Sequence, residues 1–190
     1  ETWYWKATDA GHTDAMTNLG LLLANIGRTN EAETWYRKAA DAGQIDAMHN
    51  LGLLLANIGR TNEAETWYRK AIDAGHTDAM YSLGLLLANT GRTNEAETWY
   101  RKATDTGQIN AMHGLGLLLA NTGRTNEAET WYRKATDGGS SGAMNNLALL
   151  LQNTGRETEA QPWYERAANA GDANAMNNLG ALLQNTGRET

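Results

Sequence analysis

Hydrophobic and polar positions along the chain follow a helical period in two successive segments, and this pair of segments then recurs. The stretch IDAMHNLGLLLANIGRTNEAETWYRKAIDAG, residues 45–75, contains both segments. It predicts one helix over residues 46–57 and another over 63–74, because the apolar residues of each fall three or four positions apart. The apolar stripe of the first helix is Ala47, Met48, Leu51, Leu54 and Leu55, and that of the second is Ala64, Trp67, Tyr68 and Ala71.

Glycines and short polar motifs mark the ends of both predicted helices. Gly59 and Gly75 follow the last periodic residues, where a helix commonly ends in a residue with positive φ. Asn62 precedes the second helix and Glu65 follows three residues later, which is the spacing of a capping box. Glu65 and Arg69 are four residues apart, in the order that favours an ion pair on the exposed side of a helix.

The two-helix pattern repeats every 32 residues without insertion or deletion. A recurring Ala-Met pair marks six copies, which begin at Ala15, Ala47, Ala79, Ala111, Ala143 and Ala175. This periodicity predicts a single repeat array over residues 1–190. Its expected parts are a half-repeat at 1–11 with only a second helix, full repeats at 12–43, 44–75, 76–107, 108–139 and 140–171, and a half-repeat at 172–190 with only a first helix.

One helix pair has too small an apolar core to offset the conformational entropy of ordering it. The copies are therefore expected to stack, each burying its stripe against the next, as a helical solenoid. Glycine inside the first helix costs about 1 kcal/mol relative to alanine, so its recurrence there predicts a close approach between helices. These glycines are Gly20, Gly52, Gly84, Gly116 and Gly180, with Ala148 in the remaining copy.

Composition narrows the classes of partner. The net charge is −6 and acidic and basic residues are interspersed, which argues against the basic face that a nucleic-acid partner would favour. No apolar run approaches the roughly 18 residues of a membrane span, so no membrane insertion is expected. There is no cysteine, hence no disulfide. The sequence has neither an initiator Met nor a signal peptide, which favours a processed product or part of a longer chain; nothing in it indicates a localisation.

The sequence predicts no catalytic residue, no metal site and no cofactor, and hence no enzyme. It has no cysteine nucleophile, no Gly-x-Ser-x-Gly motif and no phosphate-binding loop. Four histidines are present, but His12 and His76 lie two repeats apart, as do His49 and His113. Equivalent residues two repeats apart are separated by well over ~10 Å, whereas zinc needs its ligands within about 2.1 Å.

A family resemblance rests on two motifs of the repeat. They are Met48-x-x-Leu51-Gly52-x-x-Leu55 and Ala64-x-x-x-Tyr68-x-x-Ala71. Both resemble the tetratricopeptide repeat, and WYRKA-x-x-AG-x-x-x-AM-x-NLG also looks like the related Sel1-like repeat. The resemblance covers essentially the whole chain and implies an all-α fold, a right-handed α-solenoid of antiparallel helix pairs. The period is two residues shorter than the family's, and Gly-His or Gly-Gln replaces the proline after the second helix, so the family's curvature is not carried over.

The resemblance further implies that the first helices line a concave surface, which would bind a peptide or protein. On this hypothesis asparagines bond an extended backbone, leucines supply apolar contact, and the variable residue after Met supplies selectivity. The alternative interpretation is that the leucines are core, the late asparagines satisfy helix ends, and the variation is drift on a solvated face. The candidate peptide-binding residues are His49, Asn50, Leu53, Asn57, Tyr81, Leu85, Asn89, His113, Leu117, Asn121, Asn145 and Asn146.

The half-repeats suggest a second hypothesis, a structural protein that assembles head to tail. One chain's terminal first helix could complete the lone second helix of another, and such a heterologous contact propagates as a filament unless it closes a ring. Trp5 is notable because four later copies carry arginine at its position. The alternative is a longer array cut within a repeat. The candidate residues of this homo-oligomeric interface are Trp3, Tyr4, Trp5, Met176, Leu179 and Leu183.

Overall fold

The computed structural model of the chain describes residues 2–185, which contain twelve α-helices and no strand. First and second helices of the repeat alternate along the chain, and turns of three or four residues join them. The helices are α1 (Thr2–Asp9), α2 (Thr13–Asn25), α3 (Thr29–Asp41), α4 (Ile45–Asn57), α5 (Thr61–Asp73), α6 (Asp78–Asn89), α7 (Thr93–Asp105), α8 (Ile109–Asn121), α9 (Thr125–Asp137), α10 (Ser141–Asn153), α11 (Glu157–Asn169) and α12 (Ala173–Asn185). The predicted all-α class is confirmed.

The chain divides into two compact units, residues 1–99 and 100–190, with the boundary inside α7. In the first unit α2 packs on α3 and α4 on α5, while α3 and α5 also pack on the first helix that follows them. In the second unit α8 packs on α9 and α10 on α11, and α9 and α11 again contact the following first helix. Short turns make these neighbours antiparallel. Each unit thus shows the nearest-neighbour packing of stacked repeats.

Leucines of the first helices and tyrosines of the second helices form the core. Each complete first helix from α2 to α10 contributes two leucines four positions apart, and all of them are fully buried, as the apolar stripe predicts. One tyrosine from each second helix from α3 to α11 is buried beside them. These residues are Leu19, Leu23, Leu51, Leu55, Leu83, Leu87, Leu115, Leu119, Leu147 and Leu151, with Tyr36, Tyr68, Tyr100, Tyr132 and Tyr164.

The glycine inside the first helix faces this tyrosine. A Cβ atom added at Gly52 would lie only 2.7 Å from Cδ1 of the Tyr68 ring, a distance at which the helices would have to move apart. The expected close approach is therefore confirmed at Gly52 and at two further copies of the repeat. The equivalent pairs are Gly20 with Tyr36 and Gly116 with Tyr132.

Helix C-termini end as the glycines predict. Gly59 has a φ of +80°, and the Arg60 N–H donates to the Leu55 carbonyl at 2.8 Å. This six-to-one bond across a left-handed residue is the Schellman motif. The same arrangement follows α5, where Gly75 has a φ of +97° and the His76 N–H donates to the Ala71 carbonyl at 2.8 Å.

The predicted capping box is wrong. α5 begins at Thr61, so Asn62 lies inside the helix, and no side chain caps its N-terminus. Glu65 is engaged elsewhere, because it accepts hydrogen bonds from Arg69 at 2.8 Å and from the guanidinium of Arg92, which precedes the next second helix. The predicted pair between Glu65 and Arg69 is therefore present, but it belongs to a larger set of ion pairs.

That set is an arginine–glutamate ladder along the second helices. In one rung Arg60 donates from Nε to Glu63 of its own repeat at 2.7 Å, and from Nη1 to Glu33 of the preceding repeat, also at 2.7 Å. Glu33 also accepts from Arg37 at 2.9 Å. The guanidinium of Arg37 in turn lies 5.9 Å from the centre of the Trp67 ring in the next second helix. Consecutive second helices are thus joined by charged side chains at their solvated edge.

Candidate functional site

Within each of the two units, a row of leucines lies on the exposed side of the first helices. They are Leu21, Leu53, Leu85, Leu117 and Leu149, and each is between 39% and 47% exposed. In each helix this leucine lies midway between the two buried leucines and therefore points away from the core. The alternative interpretation of these leucines as core residues is thus wrong.

In the second unit the row borders a groove between α8 and α10. The groove has a volume of about 390 Å³. Leu117 of α8 and Leu149 of α10 form its apolar walls, and Asn121 and Asn153 lie at the ends of the same helices. Tyr132 of α9, packed beneath Gly116, also lines it. The groove brings together three of the predicted peptide-binding residues, Leu117, Asn121 and Asn146, with a tyrosine that the sequence had indicated only as core.

The polar groups around this groove differ in whether they already make a hydrogen bond within the chain. The Thr154 hydroxyl donates to the Leu150 carbonyl of its own helix at 3.0 Å. Asn146 Nδ2 donates to Nε2 of His113 at 2.8 Å, so this imidazole is neutral with its proton on Nδ1. Burial raises the pKa of Tyr132 to about 12, so its hydroxyl stays protonated and can donate a hydrogen bond at neutral pH.

Side chains one and two positions after the Met of each Ala-Met pair connect successive first helices. His49 Nε2 lies 2.9 Å from the Ser82 hydroxyl, and Asn178 Nδ2 donates to Oδ1 of Asn145 at 3.0 Å. The bond between Asn146 and His113 has the same offset of 33 residues. His49 and His113 are half-buried and Asn145 is buried. In the structure these side chains make contacts between successive repeats. Their role in ligand selection stays a prediction.

The remaining candidates lie in α4 and α6 of the first unit. Asn57 and Asn89 are exposed at the C-terminal ends of these helices, as Asn121 is in α8. Asn50 and Tyr81 are half-buried. The side chains most open to a ligand are therefore the leucine row and the asparagines at the helix ends.

Sequence reasoning missed one histidine pair. The rings of His49 and His76 have centres 4.3 Å apart, and Nε2 of His76 lies 3.5 Å from the Asp46 carboxylate. Nδ1 of His76 is buried without a hydrogen-bond partner among residues 2–185. Burial, with a smaller contribution from His76, lowers the pKa of His49 to about 4.

The pair was missed because equivalent positions of the repeat were compared with one another. The residue after Met and the residue before the next first helix are not equivalent, yet stacking places them side by side. Within residues 2–185 no three His, Cys, Asp or Glu side chains are arranged to hold a metal ion. No helix in the same range is long and apolar enough to cross a membrane.

The candidate end-to-end residues occupy α1 and α12. Trp3 is 79% exposed and Tyr4 is also exposed, whereas Trp5 is half-buried with its ring 5.2 Å from that of Trp35, edge to face. Met176 is 51% exposed, and Leu179 and Leu183 are half-buried. The parts of the two predicted half-repeats at residues 1 and 186–190 lie outside the described residues.

Comparison with known families settles the class of repeat. Sequence models of the tetratricopeptide repeat match residues 49–108 and, as separate copies, residues 13–43, 109–137 and 141–169. The chain belongs to the tetratricopeptide-repeat superfamily. No curated protein matches this tetratricopeptide-repeat chain at a significant level.

Solved structures agree with this assignment. A Sel1 repeat protein from Oxalobacter formigenes is 29% identical, with a TM-score of 0.75 over 95% of this tetratricopeptide-repeat chain and 82% of that protein. The protective antigen c5321 of uropathogenic Escherichia coli, which has an SLR fold, is 23% identical, with a TM-score of 0.79 over 96% of this chain and 44% of the antigen. YrrB, described as a TPR protein with an unusual peptide-binding site, is 22% identical, with a TM-score of 0.64 over 92% and 96% of the two chains.

Proposed function

We propose that this tetratricopeptide-repeat chain is a non-enzymatic scaffold that binds an extended segment of a partner protein along the exposed face of the first helices within a unit. The observation that carries the proposal is the leucine row with the groove between α8 and α10. Apolar surface rimmed by polar side chains is typical of protein interaction sites. YrrB, a protein of the same fold, is described as having a peptide-binding site, which supports the proposal by analogy of fold.

Charge distribution favours a neutral ligand segment. The helices α8, α10 and α12 contain no Asp, Glu, Lys or Arg. The arginine–glutamate ladder lies instead on the second helices. In the second unit, a partner on the first-helix face would therefore be recognised by apolar contact and by hydrogen bonds to amides and hydroxyls. A charged side chain would lose solvent there without gaining an opposite charge.

Peptide display against the whole chain tests this function. Selected peptides should bind the chain, and Leu117→Glu and Leu149→Glu should each weaken binding at least tenfold, because they place a charge on the apolar walls of the groove. Thr130→Glu is the matched control, since Thr130 is exposed on α9 of the same repeat. Peptides that bind both leucine variants as tightly as the original chain would place the site elsewhere and refute the proposal.

A second candidate function is head-to-tail association with another copy of the chain. The observation that favours it is apolar exposure on α1 and α12. Trp3 is 79% exposed, whereas the equivalent Trp67 is 7% exposed. Met176 is 51% exposed, whereas the equivalent Met144 is 6% exposed. A second copy would cover both surfaces, with the α12 of one chain packed against the α1 of the next.

Sedimentation velocity across a wide concentration range tests this second function. Mass should rise with concentration, and Met176→Glu should abolish the rise. Trp3→Glu should do the same, whereas Thr130→Glu should leave it unchanged. A single monomeric species at the highest concentration would rule out association.

A further inference from the structure

The buried tyrosine of the second helix has different hydrogen-bonding surroundings in two neighbouring repeats. In the last complete repeat the Tyr164 hydroxyl donates to the side-chain carbonyl of Gln152 in α10, at 2.8 Å. In the preceding repeat the equivalent tyrosine is Tyr132, and the residue in the place of Gln152 is Ala120 of α8. Tyr132 and Ala120 both line the groove between α8 and α10. The groove therefore lies at the position that the Gln152 carboxamide occupies in the next repeat.

The Tyr132 hydroxyl has no hydrogen-bond partner in the described part of the chain. Its ring is held on one side by Gly116, where an added Cβ would lie 2.6 Å away, and on another by His113, whose ring centre is 6.1 Å distant. Asn146, an amide of α10 that lines the groove, already donates to His113. The ring is thus held in position. Because Tyr132 lines the groove, a ligand bound there can supply an acceptor for its hydroxyl.

We infer that the groove is a binding subsite for a glutamine side chain of the partner segment. The Gln152 carboxamide shows within the same fold which group satisfies this phenol, and a glutamine from the partner would take the same place beside Tyr132. Its carbonyl accepts from the Tyr132 hydroxyl. Its methylene groups lie between Leu117 and Leu149, and the exposed Asn121 and Asn153 are placed to bond the flanking backbone.

Electrostatics favours a carboxamide over a carboxylate at this subsite. Neither α8 nor α10 carries a lysine or arginine, and burial lowers the pKa of His113, so a partner glutamate would be desolvated with no cation to balance its charge. A leucine would fill the volume but leave the tyrosine hydroxyl without an acceptor, which costs about as much as a lost hydrogen bond. Specificity for glutamine thus follows from one polar group in an apolar, uncharged groove.

Gln152 is accordingly a specificity-determining residue, because it takes at Tyr164 the place that Ala120 leaves open beside Tyr132.

This inference rests on the proposed function, and its test separates the two. The probe is a fluorescein-labelled peptide Ser-Leu-Ser-Gln-Ser-Leu-Ser, with matched peptides that carry Glu or Leu at the centre. In an extended peptide the two leucines and the central residue share one face at intervals of about 6.6 Å. Fluorescence anisotropy of the whole chain should show tighter binding of the glutamine peptide than of either matched peptide, by about tenfold.

Variants taken from the chain itself identify the group responsible. Tyr132→Phe should remove the preference for the glutamine peptide, and Ala120→Gln, which copies the next repeat, should weaken its binding about tenfold. Tyr164→Phe is the control and should leave binding unchanged. Thermal unfolding gives a second readout, because Tyr164→Phe should lower the melting temperature, whereas Tyr132→Phe should not.

The outcomes are distinct. Equal binding of all three peptides, or an unchanged preference in both Tyr132→Phe and Ala120→Gln, overturns the glutamine subsite. The glutamine peptide and the display-selected peptides can give different results. If the glutamine peptide does not bind, but display-selected peptides bind and Leu149→Glu abolishes their binding, the subsite is refuted and the scaffold function stands. If the glutamine peptide does not bind and Leu149→Glu also leaves the binding of display-selected peptides unchanged, both proposals fail.

Discussion

Single positions decide how closely the helices of one repeat approach. The first-helix glycine lets the tyrosine ring of the second helix lie against the backbone. The recurrence of the glycine predicted a close approach between helices, but not that the tyrosine is its partner. Sequence alone did not reveal which glycine is confined. Gly52 meets the Tyr68 ring, whereas no described atom lies within 4 Å of a Cβ added at Gly180. The same residue type in the same repeat position therefore has two different energetic roles.

Alanine substitutions at these two glycines should have opposite effects. Gly52→Ala should destabilise the chain by about 1–3 kcal/mol, because the new methyl group overpacks the contact with Tyr68. Gly180→Ala should be neutral or stabilising by up to about 1 kcal/mol, since it only raises helix propensity. Urea unfolding followed by circular dichroism measures both, and equal effects would contradict the close contact.

His49 should make stability depend on pH. Its pKa is lowered in the folded chain to about 4 from an ordinary 6.5, so the unfolded chain binds a proton more readily. The contribution is complete above pH 6.5 and is lost as the pH falls from there through 4. His49→Asn, which copies the residue at 145, should flatten the fall in melting temperature across this range. His12→Gln is the exposed control, and equal slopes in His49→Asn and the original chain would refute this account.

At the scale of elements, the two kinds of helix differ in how they are joined to their neighbours. First helices contact one another through short polar side chains such as His113 and Asn146, and second helices through the arginine–glutamate ladder. The repeat pattern predicted the helices and their glycine ends. It misplaced the start of the second helix because Asn62 and Glu65 fit a local capping motif, while the long-range partner Arg92 was not visible from local spacing.

The ladder should contribute to stability in a salt-dependent way. Glu129 accepts from Arg133 at 2.7 Å and from Arg156 at 2.8 Å, and Arg156 chiefly holds its pKa below the ordinary value. Glu129→Gln should lower the melting temperature in low salt, with a smaller loss in 1 M NaCl because exposed ion pairs are screened. Glu157→Gln on the next second helix is the control. A loss for Glu129→Gln that is independent of salt would contradict an electrostatic origin.

At the scale of the whole molecule, each unit has one charged and one nearly uncharged set of helices. Stacking was predictable from the 32-residue period, and so was the leucine row. The groove floor was not, because Tyr132 belongs to the buried stripe of a second helix and only packing shows that it also lines the space between α8 and α10. The contact of His49 with His76 was hidden for the same reason, since it joins non-equivalent positions of adjacent repeats.

The central claim is that the first-helix face binds the partner, and leucine methyl NMR tests it most directly. The chain is labelled at leucine methyl groups and titrated with a display-selected peptide. The account predicts shifts concentrated at the exposed row, above all at Leu117 and Leu149, with the buried Leu115 and Leu147 little changed. Binding that leaves the exposed leucines unshifted, while perturbing the tryptophan indole signals beside the ladder, would contradict it.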